Sequence, residues 1–247
     1  LNDIIRKQML IVHASRMAPL ADKSIAWEFL DCEFLSSRQC LTVYESYEDL
    51  TFPIVDPFVA KASNDSGSAI FFPKGCQTES EKKKLAGLFS SLKTTYGIEC
   101  GEDWYSLIPP KVVLETMLCD VRNQTPTDYK LHFFGGSLWF LQVINGRWSD
   151  SLKEALFDEN FDRLSFGLDH RMEIDKEVSV DSHLVSQMVG CAEKLISDYE
   201  YARVDFLEAS GEVFFGEVTF SPMSGLYRGP GTRRLIPYLP KKVGHER

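Results

Sequence analysis

The chain has 247 residues, 44% apolar and 26% charged, a globular composition that excludes disorder and suffices for one large domain or two small ones. Its 36 Asp plus Glu outnumber 27 Lys plus Arg, a formal net charge of −9. That balance argues against general nucleic-acid binding and against docking on anionic lipid, but a local basic pocket for a phosphorylated ligand remains compatible with it.

The first stretch, to about Leu50, reads as helical, with Ile25, Ala26, Phe29 and Leu30 near helical spacing in a helix over 21–30. A short strand is expected at Leu41 to Tyr44. A Pro-marked region leads to the strand Phe58 to Ser63, and Asn64-Asp65-Ser66-Gly67-Ser68 reads as a turn before a returning strand from Ala69 to Phe72. Thr78 with Glu81 is a capping-box signature for a helix carrying Leu85, Leu88, Phe89, Leu92 and Tyr96. Residues 97–110 read as loop and Lys111 to Leu118 as a strand and its exit. A second hairpin turns at Gly135-Gly136 between Lys130–Phe134 and Ser137–Ile144. Asn145 to about Asp181 reads as polar and irregular, and His183 to Tyr199 as an amphipathic helix. Ala202 to Phe220 forms a third hairpin, followed by a tail rich in Gly, Pro and basic residues. No internal repeat is present, and hairpins interleaved with helices predict an α+β fold.

No apolar run approaches the ~20 residues of a membrane helix, so an integral membrane protein is not expected. The N-terminus lacks the features of a signal peptide. Cys32, Cys40, Cys76, Cys100, Cys119 and Cys191 form no C-x-x-C pair, and the expectation is reduced, buried thiols in a cytoplasmic protein.

The third hairpin carries the clearest chemistry. With Ala209-Ser210-Gly211 as a three-residue turn, Glu208 faces Glu212, Asp205 faces Phe215 and Arg203 faces Glu217. Arg203, Asp205, Glu217 and Thr219 then share one ribbon face, opposite an apolar face of Val204, Phe206, Phe214, Gly216, Val218 and Phe220. Two hard carboxylates on a rigid ribbon suit Mg²⁺, which bridges to substrate phosphate. A solvated face with an Arg–Glu cross-strand pair is the alternative. In the first hairpin, Lys61 stands in the apolar run Phe58 to Ser63, as an edge charge or aimed into a pocket. The small residues of 63–68 allow backbone N–H groups to approach a phosphate, although neither a Walker loop nor a Rossmann fingerprint is present.

Taken together, these segments resemble the ATP-grasp enzymes, and within them the teichuronopeptide-biosynthesis (TupA-like) group. The match runs from roughly Pro19 to Leu226 through Leu20-Ala21-Asp22-Lys23, Phe58 to Ser63 with its Ser/Gly loop, Val113-Leu114-Glu115, Asp128-Tyr129-Lys130, Arg203-Val204-Asp205 and Phe215 to Pro222. The resemblance implies two α+β subdomains gripping ATP, with residues 1–50 as a reduced N-terminal helical region. Residues 51–118 would be the subdomain with the phosphate-covering hairpin, and 119–247 the subdomain with the metal and substrate site.

The same resemblance implies that Lys23 and Lys61 contact ATP phosphates or line the nucleotide cleft. Ser63, Asn64, Ser66, Gly67 and Ser68 would cover the phosphates. Glu115 and Met117 belong to the segment where such enzymes hold adenine by backbone groups and ribose by a carboxylate, and Asp120 is a further ribose candidate. Asp205 and Glu217 match the Mg²⁺ carboxylates, Arg203 the arginine that steadies the oxyanion, and Lys130 lies on a strand facing the nucleotide. Two departures stand out: Trp27 occupies a position usually held by arginine, and Thr219 one where many ATP-grasp ligases have Asn.

The five histidines show no ligand spacing, and His132 reads as a structural strand residue. His170-Arg171, Arg147 and the basic stretch Tyr227 to Arg234 are candidates for anionic substrate contact or solvated loop. No Ser or Cys nucleophile with a partner base is legible. The implied activity is an ATP-dependent carboxylate–amine ligase working through an acyl phosphate, on a uronic acid or amino acid in cell-surface polysaccharide or peptide biosynthesis. A sugar kinase and a non-catalytic nucleotide-binding assembly partner are the alternatives.

Overall fold

The computed structural model describes residues 1–11, 13–36, 42–93, 96–118, 125–147 and 152–240. In chain order the elements begin with α1 (Asn2–Ile11), α2 (Ala14–Ala21), β1 (Thr42–Tyr44), β2 (Phe58–Ala62), β3 (Ile70–Phe72), α3 (Glu79–Ser91), α4 (Tyr96–Cys100) and β4 (Val112–Thr116). They continue with β5 (Thr127–Phe134), β6 (Ser137–Asn145), β7 (Lys153–Phe157), β8 (Glu173–Ile174), α5 (Ser182–Ile196), β9 (Tyr201–Ala209), β10 (Glu212–Thr219) and α6 (Gly231–Arg234). The fold is α+β, as the sequence predicts.

Contacts divide the chain into two units. One holds Val12–Phe29 and Ser36–Leu118, the other Leu1–Ile11, Leu30–Leu35 and Cys119–Arg247. Residues 1–50 are shared between both.

The first of these units is built on a four-stranded sheet ordered β1-β4-β2-β3. Alternation along β2 sends Phe58, Ala60 and Ala62 into a core with Leu85, Leu88 and Phe89 of α3. Thr78 caps α3: its hydroxyl accepts from Glu81 N (3.3 Å), and the Glu81 carboxylate accepts in turn from Thr78 N (2.8 Å). The expected helix over 21–30 does not form. Asp22 accepts hydrogen bonds from Ser24 N (2.8 Å) and Ser24 Oγ (2.6 Å), a local turn that ends α2 and leaves only a 3₁₀ turn at Ala26–Phe29. Residues 97–110, expected as loop, contain most of α4 and a 3₁₀ turn at Asp103–Leu107.

A six-stranded sheet ordered β10-β9-β5-β6-β7-β8 makes the other unit. Gly135 and Gly136, at φ 59° and 82°, supply the β5–β6 turn. Asp181 caps α5 by accepting from His183 N and Leu184 N. Helix α5 buries Val185, Met188, Cys191, Ala192 and Ile196. A second cluster joins Ile5 of α1, Trp139 and Phe140 of β6, Leu156 of β7, and Tyr227 and Leu235 of the C-terminal stretch. Strand β7 lies in the stretch expected to be irregular. Its Lys-Glu-Ala-Leu-Phe sequence hides a strand because Glu154, fully buried, is satisfied by Gln142 Nε2 (2.7 Å) and Asp169 N (2.9 Å).

The thiol expectation is corrected for one pair. Cys32 and Cys191 form a disulfide across 159 residues, their Cα atoms 6.0 Å apart, a pairing that dispersed spacing does not reveal. Cys76 and Cys100 are free, while Cys40 and Cys119 lie outside the described residues. No helix among the described residues is long and apolar enough to cross a membrane.

Candidate functional site

The β9–β10 hairpin turns on two residues, Ser210 and Gly211, both at positive φ, and Ala209 pairs with Glu212. The expected three-residue turn is therefore corrected. A two-residue turn without further adjustment would place Asp205 opposite position 216 and send Glu217 to the apolar face. The register instead shifts between Phe215 and Glu217, where Gly216 forms a bulge. Asp205 then pairs with Glu217 and Arg203 with Thr219, so the four side chains share one face after all. Phe215, not Phe214 or Gly216, joins Phe206 on the opposite side, their rings 6.2 Å apart. Only glycine suits the bulge, since a Cβ there would stand 2.8 Å from Asp205 O.

Strand β5 adds Lys130, paired with Asp205, and His132, paired with Arg203. Arg203 donates Nε to Asp205 Oδ1 (2.6 Å) and Nη2 to Asp205 Oδ2 (2.8 Å). The same Nη2 reaches Glu217 Oε1 (3.2 Å) and Thr219 Oγ1 (3.1 Å). Lys130 Nζ donates to Asp205 Oδ2. Tyr227 is buried, which pushes its hydroxyl pKa up, and the charge of Arg203 acts against that shift. Arg203, Asp205 and Lys130 are nearly enclosed, whereas the Glu217 side chain is 39% exposed. Burial alone would push the Asp205 carboxyl up; Arg203 and Lys130 outweigh it and hold the group well below the usual carboxylate range.

Buried contacts brace the frame around this set. Gln8 of α1 donates to Tyr201 O and accepts from Tyr201 N (2.6 Å), fixing β9 two residues before Arg203. His132 contacts Tyr201 Oη through Nδ1 (2.8 Å) and stacks on Phe140 at 4.0 Å. Burial, then the charge of Arg203, drive the His132 pKa well below its ordinary value, so the ring is neutral.

In the other unit, Lys61 is not an edge charge, because β2 lies between β4 and β3. Its Nζ meets Glu115 Oε2 at 2.7 Å on the sheet face away from α3. Lys23 Nζ donates to Asp65 O, tying α2's exit to the 63–69 loop. Ser68 Oγ bonds Asp65 Oδ1 (2.5 Å) and accepts from Ala62 N (3.2 Å). Ser66 and Gly67 are exposed, and a Cβ at Gly67 (φ 89°) would meet nothing within 4 Å. Asn64 Nδ2 reaches Leu92 O at 3.4 Å. Ser63 turns inward: its hydroxyl bonds Pro109 O (2.8 Å) and Lys111 N (2.9 Å). Met117 N donates to Pro57 O (3.2 Å). Asp120 lies outside the described residues.

Sequence reasoning named Tyr227 only as part of a basic stretch and placed Lys130 toward the nucleotide without its contact to Asp205. Tyr227 sits in the stretch read as acceptor site or flexible loop. That stretch is packed: a Cβ at Gly229 or Gly231 would fall within 2.1 Å of the Leu168 or Gly167 carbonyl. Its aromatic residue followed by spaced glycines was the available signal. Arg147 pairs with Asp128, and Arg171 pairs with Asp169 through both carboxylate oxygens.

Asp205 and Glu217 offer hard oxygens from directly paired residues, a donor set that fits Mg²⁺ completed by water and phosphate oxygens. No group of three or more His, Cys, Asp or Glu gathers for a metal among the described residues, so the pair does not suit an ion that needs an all-protein cage.

No curated protein matches the chain. Among solved structures, an L-amino acid ligase from Bacillus licheniformis is similar at 8% identity over 86% of this chain and 45% of that one, with a TM-score of 0.51. A D-alanine–D-alanine ligase from Bacillus anthracis complexed with ATP is similar at 15% identity over 82% of this chain and 54% of that one, with a TM-score of 0.45. The chain thus spans about half the length of these structures. At such identities the likeness is one of fold, and the first of the two carries it. The TupA-like ATP-grasp model matches residues 4–230, and the chain belongs to that family.

Proposed function

We propose that the chain is an ATP-dependent carboxylate–amine ligase. The observation that carries this reading is the β9–β10 face, where a bulge at Gly216 aligns Asp205 with Glu217 and Arg203 bridges both. Membership in the TupA-like ATP-grasp family supports it, as does the fold shared with the L-amino acid ligase.

In this reading Asp205 and Glu217 would hold Mg²⁺, which would screen the negative charge of the nucleotide phosphates. Lys130, beside Asp205, would meet a phosphate oxygen. Arg203 is held by Asp205 and Thr219, so its guanidinium is oriented in advance toward developing negative charge. Lys23, Lys61 and the loop residues Asn64, Ser66, Gly67 and Ser68 bind the phosphates, and Glu115 and Met117 serve the nucleoside. Ser63 belongs to the same set, its hydroxyl anchoring the base of the loop on Pro109 O and Lys111 N. No protein nucleophile is required, since positioning and electrostatics carry the chemistry. The acceptor carboxylate belongs to a uronic acid or amino acid in cell-surface polysaccharide or peptide biosynthesis. ATP as co-substrate favours a cytoplasmic site of action; the Cys32–Cys191 bond is the feature uncommon there.

The test is an ATP-consumption screen of uronic acids crossed with amino acids, read by mass spectrometry. A product of condensation mass, with free phosphate in equal amount, is expected. A phosphorylated sugar without free phosphate would establish the kinase instead. Nucleotide binding without turnover of any pair would leave an assembly partner.

A further inference from the structure

A cleft of about 760 Å³ opens in the unit that holds α5, and it shares no residue with the Arg203–Asp205–Glu217 face. Its size lies within the ~300–1,000 Å³ usual for small-molecule sites. One wall is the outward stripe of α5: Ser186, Val189, Gly190 and Glu193, at helical spacing. At Gly190 a Cβ would meet nothing within 4 Å, so the wall is open there. The β5–β6 turn and the C-terminal stretch close other sides, with Leu138, Pro237 and Tyr238 supplying apolar surface.

Phe161 completes the lining from the loop after β7. It stands at φ 65°, a conformation a bulky residue rarely adopts. The loop holds it there: Phe161 N donates to Asp158 O (3.0 Å), and Asp158 Oδ1 accepts from Asn160 N (3.0 Å) and Asp162 N (2.9 Å).

Among the described residues, the charges lining the cleft are of one sign. Glu159 and Glu193 both line it, and neither has a hydrogen-bond or ion-pair partner among the described residues. Burial is the sole resolved influence on Glu193, with no cation offsetting it. Two unpaired carboxylates beside Phe161 and Tyr238 disfavour an anion. Aromatic and proline walls are ill suited to a hydrated metal ion. The combination matches a cation with an apolar body, held by carboxylates at its head and by ring faces along its length.

We propose that this cleft is a binding site for a small organic cation, an ammonium or guanidinium head on an apolar chain. The probe is n-butylguanidinium, titrated calorimetrically into the full chain, with its isostere n-butylurea as the uncharged control. Saturable n-butylguanidinium binding is expected, with n-butylurea at least about tenfold weaker. Glu159→Gln combined with Glu193→Gln should weaken n-butylguanidinium at least about tenfold while leaving ATP turnover at the parent level. Gly190→Leu, which fills the cleft, should remove binding without disturbing either carboxylate. Absence of saturation up to about 10 mM n-butylguanidinium, or binding that survives both the double variant and Gly190→Leu, would overturn the proposal.

Discussion

Replacing Asp205 with Asn tests what the carboxylate does before any ligand arrives. Asp205 accepts two bonds from Arg203, at 2.6 and 2.8 Å, and one from Lys130, and all three side chains are nearly buried. The amide keeps one acceptor but removes the negative charge, leaving two buried cations facing each other. Breaking a buried ion pair by removing one partner costs about 3–5 kcal/mol. For a chain of this size that corresponds to a melting temperature lowered by roughly 6–20 °C. Glu217→Gln provides the internal comparison. Its side chain is 39% exposed and its contact to Arg203 is 3.2 Å, so the loss should be ~1 kcal/mol or less. Both variants should lose ATP turnover. Thermal unfolding without nucleotide or metal, followed by circular dichroism, reads the stability difference. A variant Asp205→Asn as stable as the parent would refute the reasoning. It would mean that repulsion between Asp205 and Glu217, not attraction to Arg203 and Lys130, governs the metal-free protein.

Other consequences are equally open to measurement. Gly216→Ala brings a Cβ to 2.8 Å from Asp205 O, so stability should fall by about 1–3 kcal/mol and turnover should drop with it; an unchanged melting curve would contradict the tight bulge. Lys61→Ala should weaken Mg·ATP binding and, by removing the ammonium that pairs with Glu115, lower stability by roughly 1–3 kcal/mol, part of which Glu115→Ala in the same chain should restore. Strict additivity in that cycle would argue against the pair. His132 stays neutral in the fold while an unfolded histidine gains a proton below pH ~6.5. Its contribution to stability is therefore complete above that pH and is lost as pH falls, by up to ~1.4 kcal/mol per unit. Urea unfolding between pH 7 and 5 should show this slope, and His132→Gln should remove it.

Much of the architecture was legible because local chemistry decided it. Thr78 and Glu81 announce the start of α3, Gly135-Gly136 can hardly be other than a turn, and the apolar stripe of α5 follows helical spacing. The third hairpin is more instructive. Its turn is one residue shorter than the sequence suggested, yet the predicted polar face is present, because the bulge at Gly216 restores the parity that the shorter turn removes. Pattern reading locates the face but not the register, since register depends on where a glycine can pack against a neighbouring backbone.

Most of what escaped was set by distant partners, the Asp22–Ser24 turn being a local exception. Strand β7 was unreadable because its central Glu154 is satisfied by Gln142 and by the Asp169 backbone. The helix expected over 21–30 was undone by a single Asp22 side chain competing for backbone bonds. Lys130 had no assignable partner until β5 was seen beside β9, which sets its ammonium on Asp205. Cys32 and Cys191 pair only because the fold closes a separation of 159 residues.

Isotope transfer from the acceptor carboxylate tests the proposed chemistry most directly. In a ligase, a carboxylate oxygen attacks the γ-phosphorus and ADP departs; the amine then attacks the acyl carbon and phosphate leaves with that oxygen. An acceptor labelled with ¹⁸O in its carboxylate should therefore yield free phosphate carrying one ¹⁸O per amide formed. The label should be absent when Arg203 is replaced by Ala or Glu217 by Gln. Phosphate free of label, or phosphoryl transfer to a hydroxyl with no phosphate released, would contradict the account.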